Sequence, residues 1–234
     1  MKSHENWEVL PHGPLEKLAD NLYTVVGKLP MPLGETSRRM TIAKLALDRL
    51  AIFSAIALDE ARMAQLEALG RPTFLIVPSA IHRIDARPWK ARYPLLEVIA
   101  PPGALEKVSE VVTVDATVCE LGDLRVKLEA VPGTKGRELS MTVETDSGTT
   151  LVVNDLIFNL PEMKGLAGWG LKLLGFGPGH PSMPKLVRMK LVDDDEAVRE
   201  QLRAWAVRDF ERILVSHGAA IENPRETLLQ LAAA

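Results

Sequence analysis

Short apolar runs bounded by turn residues dominate the first part of this chain, and helical spacing enters only between them. Leu22 to Val26, Met40 to Ala46 and Leu50 to Ser54 are rich in aliphatic and β-branched residues, and Asp48-Arg49 parts the last two, which predicts a hairpin. From Leu58 to Leu69 the spacing becomes that of a helix. Asp59 is placed to cap it, Met63, Leu66 and Leu69 share a face, Gly70 ends it and Pro72 lies beyond. Phe74 to Val77 is apolar without interruption, as a strand covered on both faces is. A short helix around Arg87 to Arg92, a strand at Glu97 to Ala100, and a helix opened by Pro101-Pro102-Gly103 and running through Val111 complete a strand, helix, strand, helix unit.

The β pattern returns at Leu124 to Ala130 and at Leu139 to Thr145, where Leu139, Met141 and Val143 alternate inward. Asp146-Ser147-Gly148 then turns the chain into the buried strand Thr150 to Val153. A helix from Glu196 to about Ala206 is acidic at its start, as the helix dipole favours, and carries Val198, Leu202 and Trp205 on one face. It leads to the strand Arg212 to Ser216 and a terminal helix from Pro224. Before it lies 159–184, rich in Gly and Pro yet holding Leu166, Trp169, Leu171, Leu173, Leu174 and Phe176, which is too apolar for a free linker. Strand-rich halves that each end in alternation suggest a duplicated αββα plan.

Composition narrows the classes of partner. At 234 residues with 47% hydrophobic content the chain can fill a substantial core. Its 28 basic and 31 acidic residues are dispersed, with a net charge of −3, so no basic stripe recommends nucleic acid. The single Cys119 excludes an intrachain disulfide framework and a multi-cysteine zinc ribbon, and it reads as a small buried side chain rather than a nucleophile. Met1 to His12 lacks the apolar core of a secretory signal, and no window approaches the ~20 apolar residues of a membrane span. A cytoplasmic protein with no nucleic-acid partner and no membrane span is expected.

Three metal-capable side chains stand where buried strands break into loops: His82 beyond Phe74 to Val77, Asp155 after Val153-Asn154, and His217 between Ser216 and Gly218. Each also has a plainer reading. His82 and His217 can serve as hydrogen-bonding histidines, and Asp155 can cap a turn. Asp85 is placed to act as a ligand or general base, or as the N-cap of the helix that follows. His12 and His180 read as loop residues. Gly133-Thr-Lys-Gly136 lacks the spacing of a phosphate loop.

The order of elements with these strand ends resembles the metallo-β-lactamase fold superfamily over nearly the whole chain. Phe74-Leu-Ile-Val-Pro-Ser-Ala-Ile-His82 stands where that superfamily has its first metal motif, and Val131-Pro-Gly-Thr134 where it often has Pro-Gly-His-Thr. Val153-Asn-Asp155 stands where it has Gly-Asp, and Val215-Ser-His217-Gly218 where it has its last histidine. The departures are equally specific. Against His-x-His-x-Asp-His the chain reads Ser79-Ala-Ile-His82-Arg-Ile-Asp85, and no histidine separates Gly133 from Thr134. The chain is similar to a degenerate branch of unknown function.

The resemblance implies an α/β (α+β) fold, a four-layer αββα sandwich formed as one domain over 1–234. It implies His82, Asp155 and His217 as metal ligands, Asp155 and Asp85 as the catalytic carboxylates, and 159–184 as a lid or the contact of a homodimer. Two functions remain open. One is a hydrolase-like enzyme with at most one zinc or other divalent ion, acting on an ester, thioester, lactone or phosphoester. The other is a non-catalytic descendant without metal that binds a small, anionic molecule or a protein in the old cleft, drawn by Arg83, Arg87 and Lys135 as unpaired cations on the rim.

Overall fold

The computed structural model describes residues 3–31, 34–162, 175–177 and 179–234. The apolar runs become strands β1 (Glu16–Lys17), β2 (Leu22–Met31), β3 (Gly34–Leu45), β4 (Arg49–Phe53), β5 (Arg71–Ile76) and β6 (Glu97–Ile99), which form one sheet in that order. Four more, β7 (Val126–Ala130), β8 (Leu139–Thr145), β9 (Gly148–Val153) and β10 (Phe210–Val215), form a second sheet in the order β10-β9-β8-β7. Helices α1 (Glu60–Leu69), α2 (Ala86–Arg92) and α3 (Leu105–Ser109) cover the outer face of the first sheet. Helices α4 (Lys185–Leu191), α5 (Asp195–Ala206) and α6 (Pro224–Ala233) cover the second. The result is the four-layer αββα sandwich.

Alternation along each strand explains the layers. Ala51 and Phe53 of β4, Phe74 and Ile76 of β5, Val152 of β9 and Leu214 of β10 point between the sheets, where they meet Leu139, Met141 and Val143 of β8. Their neighbours Leu50, Ile52 and Leu75 face Met63 and Leu66 of α1 and Trp89 of α2. Leu151, Val153, Ile213 and Val215 face Val198, Leu202 and Trp205 of α5 and Leu228 of α6. Strands covered on both sides must be apolar at successive positions, which is why they read as unbroken runs. Each fully buried aliphatic or aromatic side chain stabilises the fold by about 1.5–3 kcal/mol.

Local signals set the helix ends. The Asp59 carboxylate accepts the Arg62 N–H at 2.8 Å and caps α1, and the Asp194 carboxylate accepts the Ala197 N–H at 3.0 Å and caps α5. The helix expected from Pro101 through Val111 is shorter. It begins as a 3₁₀ turn at Pro102–Ala104, and only Leu105–Ser109 is α-helical. The hairpin of β2 and β3 is longer than the apolar pattern, pairing from Leu22↔Ala43 out to Met31↔Gly34. Its outer part alternates exposed Lys28 and Pro30 with buried Leu29. In the segment expected to be a lid or dimer contact, Leu166, Trp169, Leu171, Leu173 and Leu174 lie outside the described residues. Among the described residues no helix is long and apolar enough to cross a membrane.

β4, β5 and β6 run parallel to one another, as do β9 and β10. Parallel neighbours deliver their C-terminal ends to the same edge. That edge gathers Ser54 after β4, His82 after β5, Asp155 after β9 and His217 after β10.

Candidate metal centre

Two imidazoles and one carboxylate meet there. His82 Nε2 lies 3.2 Å from Asp155 Oδ1 and 3.2 Å from His217 Nε2, and His217 Nε2 lies 3.5 Å from the same Asp155 oxygen. A tetrahedral ion with bonds of about 2.0–2.1 Å holds its ligand atoms about 3.3–3.4 Å apart. The three donor atoms therefore trace one face of such a tetrahedron. Among the described residues this is the one group of three or more histidine, cysteine or acidic side chains close enough to hold an ion.

Neighbouring groups fix each donor. The second Asp155 oxygen accepts hydrogen bonds from Ser79 Oγ at 2.8 Å and Asn154 Nδ2 at 2.8 Å, which turns Oδ1 toward the imidazoles. Asn154 is held in turn by Ser216, whose hydroxyl donates to Asn154 Oδ1 at 2.7 Å. His217 Nδ1 donates to the Ser37 carbonyl at 2.6 Å, leaving its Nε2 lone pair for the site. The His217 ring stacks on Phe158 with centroids 4.7 Å apart, and Phe176 packs edge-on against Phe158. Arg39 donates to the carbonyls of Val215 and Gly218, on either side of His217. Gly218 has φ of 112°, and a Cβ there would lie 1.9 Å from the Asn159 carbonyl oxygen, so only glycine fits this turn.

Beneath Asp155 lies Glu138, fully buried, whose carboxylate accepts the backbone N–H groups of Asn154, Asp155 and Leu156 at 3.2, 3.1 and 3.0 Å. Burial, and then the charge of Asp155, push the Glu138 carboxyl up to about 8, against the three N–H donors that favour its anion. Asp155 moves the other way. Burial by itself would raise it, but the two imidazoles beside it, His82 first and then His217, favour its anion, outweigh burial and hold it well below the usual carboxylate range.

The depressed Asp155 carboxyl sets a pH dependence. A group whose folded pKa is lowered adds stability above its unfolded value of about 3.9, and that stability is lost as pH falls further. Asp155→Asn keeps the shape but cannot titrate. It is expected to start less stable at neutral pH and then to lose less between about pH 5 and pH 3 than the wild type, measured as urea midpoints. Parallel losses in the two proteins would sink this assignment of the Asp155 charge.

The structure brings His82, Asp155 and His217 together and puts Asp85 in another cluster. The Asp85 carboxylate, 1% exposed, meets Arg38 Nη1 at 2.5 Å and His4 Nδ1 at 2.9 Å, and it is not among the three converging donors. It does precede α2, as an N-cap would, but its side chain makes no capping hydrogen bond. Of the three cations expected to stand unpaired on the rim, Arg83 and Arg87 are corrected. Arg83 pairs with Glu110, Arg87 pairs with Glu5, and Lys135 is exposed on the turn after Thr134. Thr134, which directly follows Gly133 where the family's histidine would intervene, is buried with its hydroxyl donating to the Val131 carbonyl at 2.7 Å. His12 accepts the Asp59 N–H and His180 faces the Pro181 carbonyl, both in loops. Ser37, Ser54, Ser79 and Glu138 belong to the site without having stood out in the sequence, since a serine or glutamate alone carries no spacing signal.

No protein-family profile and no curated protein matches this chain. Solved structures do. The DIM-1 metallo-β-lactamase exposed to ceftazidime superposes with a TM-score of 0.64 at 10% identity, covering 97% of this chain and 98% of that one. VMB-1 gives 0.63 at 11% identity over 97% and 100% of the two chains. FIM-1 from Pseudomonas aeruginosa, in its mono-zinc form, gives 0.62 at 13% identity over 96% of each. The chain has the metallo-β-lactamase fold. At these identities the likeness concerns the fold.

Proposed function

We propose that this protein is a hydrolase-like member of the metallo-β-lactamase fold that works with a single divalent ion, zinc or a similar metal, held by His82, Asp155 and His217. The observation that carries this is the triangle of donor atoms with edges of 3.2, 3.2 and 3.5 Å, which matches a tetrahedral face. An ion there would supply Lewis acidity and bring the pKa of a water toward about 7. The two imidazoles offer Nε2 lone pairs, and Asp155 brings the negative charge that favours a dication. Ser79 and Asn154 keep Asp155 from turning away, and Phe158 shields one side of His217 from water. Asp85, tied to Arg38 and His4, steadies the loop that carries His82.

One ion rather than two follows from the donor count. The first-motif loop keeps one histidine and the second motif has none, while a pair of ions about 3.5–4 Å apart needs donors on both sides. FIM-1 in a mono-zinc form is a precedent for the fold with one ion. The reading as an emptied cleft that binds an anion or a protein keeps less of its cationic rim, because Arg83 and Arg87 are already paired and Lys135 alone stands exposed.

The test is a panel of ester, thioester, lactone and phosphoester substrates with protein purified without a histidine tag, alongside elemental analysis. At most one metal per chain is expected, with hydrolysis that requires it and falls about 100-fold or more in His217→Ala. Two tightly bound ions per chain would overturn the single-ion site. Rates that are equal with and without metal, and equal in the variant, would overturn the enzyme.

A further inference from the structure

Ser54 follows β4 in the left-handed region, with φ of 59°, which is unfavourable for a residue with a Cβ. Its own N–H holds it there by donating to the Ile76 carbonyl of β5 at 3.0 Å. The residue is 4% exposed, and its hydroxyl meets His82 Nδ1 at 2.7 Å. Backbone strain of this kind persists only where the surroundings enforce it, and here it delivers one hydroxyl to one imidazole nitrogen.

The contacts around the two imidazoles dictate where their protons sit. A carbonyl only accepts, so His217, facing the Ser37 carbonyl, carries its proton on Nδ1 and presents a lone pair at Nε2. His82 Nε2 faces that lone pair at 3.2 Å and Asp155 Oδ1 at 3.2 Å, and both are acceptors. When both imidazoles are neutral and no ion lies between them, His82 carries its proton on Nε2, the one tautomer that gives its two acceptor neighbours a donor. Its Nδ1 is then an acceptor, and the Ser54 hydroxyl donates to it. For the three donors to hold an ion, that proton has to leave Nε2, and a neutral imidazole then carries it on Nδ1. The Ser54 hydroxyl must turn and accept. A hydroxyl can do both, whereas a carbonyl or a carboxylate could only accept.

We infer that Ser54 is a positioning residue, a hydroxyl rotor that lets His82 exchange tautomers. The same three groups are thereby hydrogen-bonded to one another without an ion and free to hold one when it arrives. This rests on the single-ion reading above. His217 takes no part in the exchange, because its carbonyl partner allows one tautomer only.

Long-range proton–nitrogen NMR of the imidazoles tests it, on chelator-treated protein and again after one equivalent of zinc. The expected result is His82 with its proton on Nε2 before zinc and on Nδ1 after, with His217 on Nδ1 throughout. Ser54→Ala keeps the left-handed strain and Ser54→Gly relieves it, so the two differ in stability. Both lack the hydroxyl and are expected to bind zinc about 10–100-fold more weakly than wild type, read by competition with a chelating dye. A His82 protonated on Nδ1 in both states, or on both nitrogens at neutral pH, overturns the rotor, as does wild-type zinc affinity in either variant. Zinc that binds without changing the His82 tautomer removes the rotor and leaves the single-ion site standing. A wild-type protein that takes up no zinc removes both.

Discussion

Zinc at about a hundredfold over its dissociation constant is expected to raise the melting temperature of chelator-treated wild type by about 5–10 °C, and that of His217→Ala not at all. A ligand that binds the folded chain alone at that excess stabilises it by about 2.7 kcal/mol, and about 2–4 °C accompanies each kcal/mol in a chain of this size. His217 supplies one of three donors, so its loss leaves two, too few for a structured site. The variant should nonetheless fold. His217 sits at a strand end, and its truncation forfeits one hydrogen bond to Ser37 and the stacking on Phe158, together about 1–3 kcal/mol. Wild-type melting curves that coincide with and without zinc would contradict the site, since its geometry leaves no reason for the ion to be ignored.

Glu138→Ala is expected to damage the fold more than loss of any single donor. Its two carboxyl oxygens are the acceptors for three buried backbone N–H groups in the loop that carries Asp155. An N–H stranded without water or partner costs about 1–3 kcal/mol, so three cost roughly 3–9 kcal/mol, against a total stability of about 5–15 kcal/mol for a typical domain. The variant should be unfolded, or melt at least about 10 °C below wild type and take up no zinc. Glu138→Gln keeps an oxygen for Asn154 and Leu156 but turns an amide toward the Asp155 N–H, and should fall between the two. Circular dichroism melts of the three proteins decide it. An alanine variant within about 1 kcal/mol of wild type would mean that water replaces the carboxylate, and that the loop does not depend on it.

Both predictions concern residues of very different visibility. His82, Asp155 and His217 each follow an apolar run, and a metal-capable side chain just past a buried strand can be noticed from the sequence. Glu138 and Ser54 cannot. Glu138 sits beside Leu139 and acts on Asn154, Asp155 and Leu156, while Ser54 ends one strand and acts on a histidine beyond the next. Asp85 misled for the same reason. Its position three residues after His82 suggested a shared site, yet its carboxylate is taken by Arg38 from the hairpin and His4 from the N-terminal segment. Arg83 and Arg87 likewise found acidic partners that their neighbours in sequence do not announce.

What this chain determines by itself is local. The period of its apolar residues predicts strands and helices, Asp59 marks the start of α1, and the two-sided burial of β5, β9 and β10 shows in their unbroken apolar runs, because each of these depends on residues within a turn or a strand of one another. The tertiary structure decided the rest. It set which strand ends share an edge, which acceptor each imidazole faces, and which carboxylate meets the imidazoles and which meets a guanidinium. Those outcomes depend on strand order and register between segments far apart in the chain, and a hydrogen bond a few tenths of an ångström too long, or a strand slipped by one residue, would reassign them all.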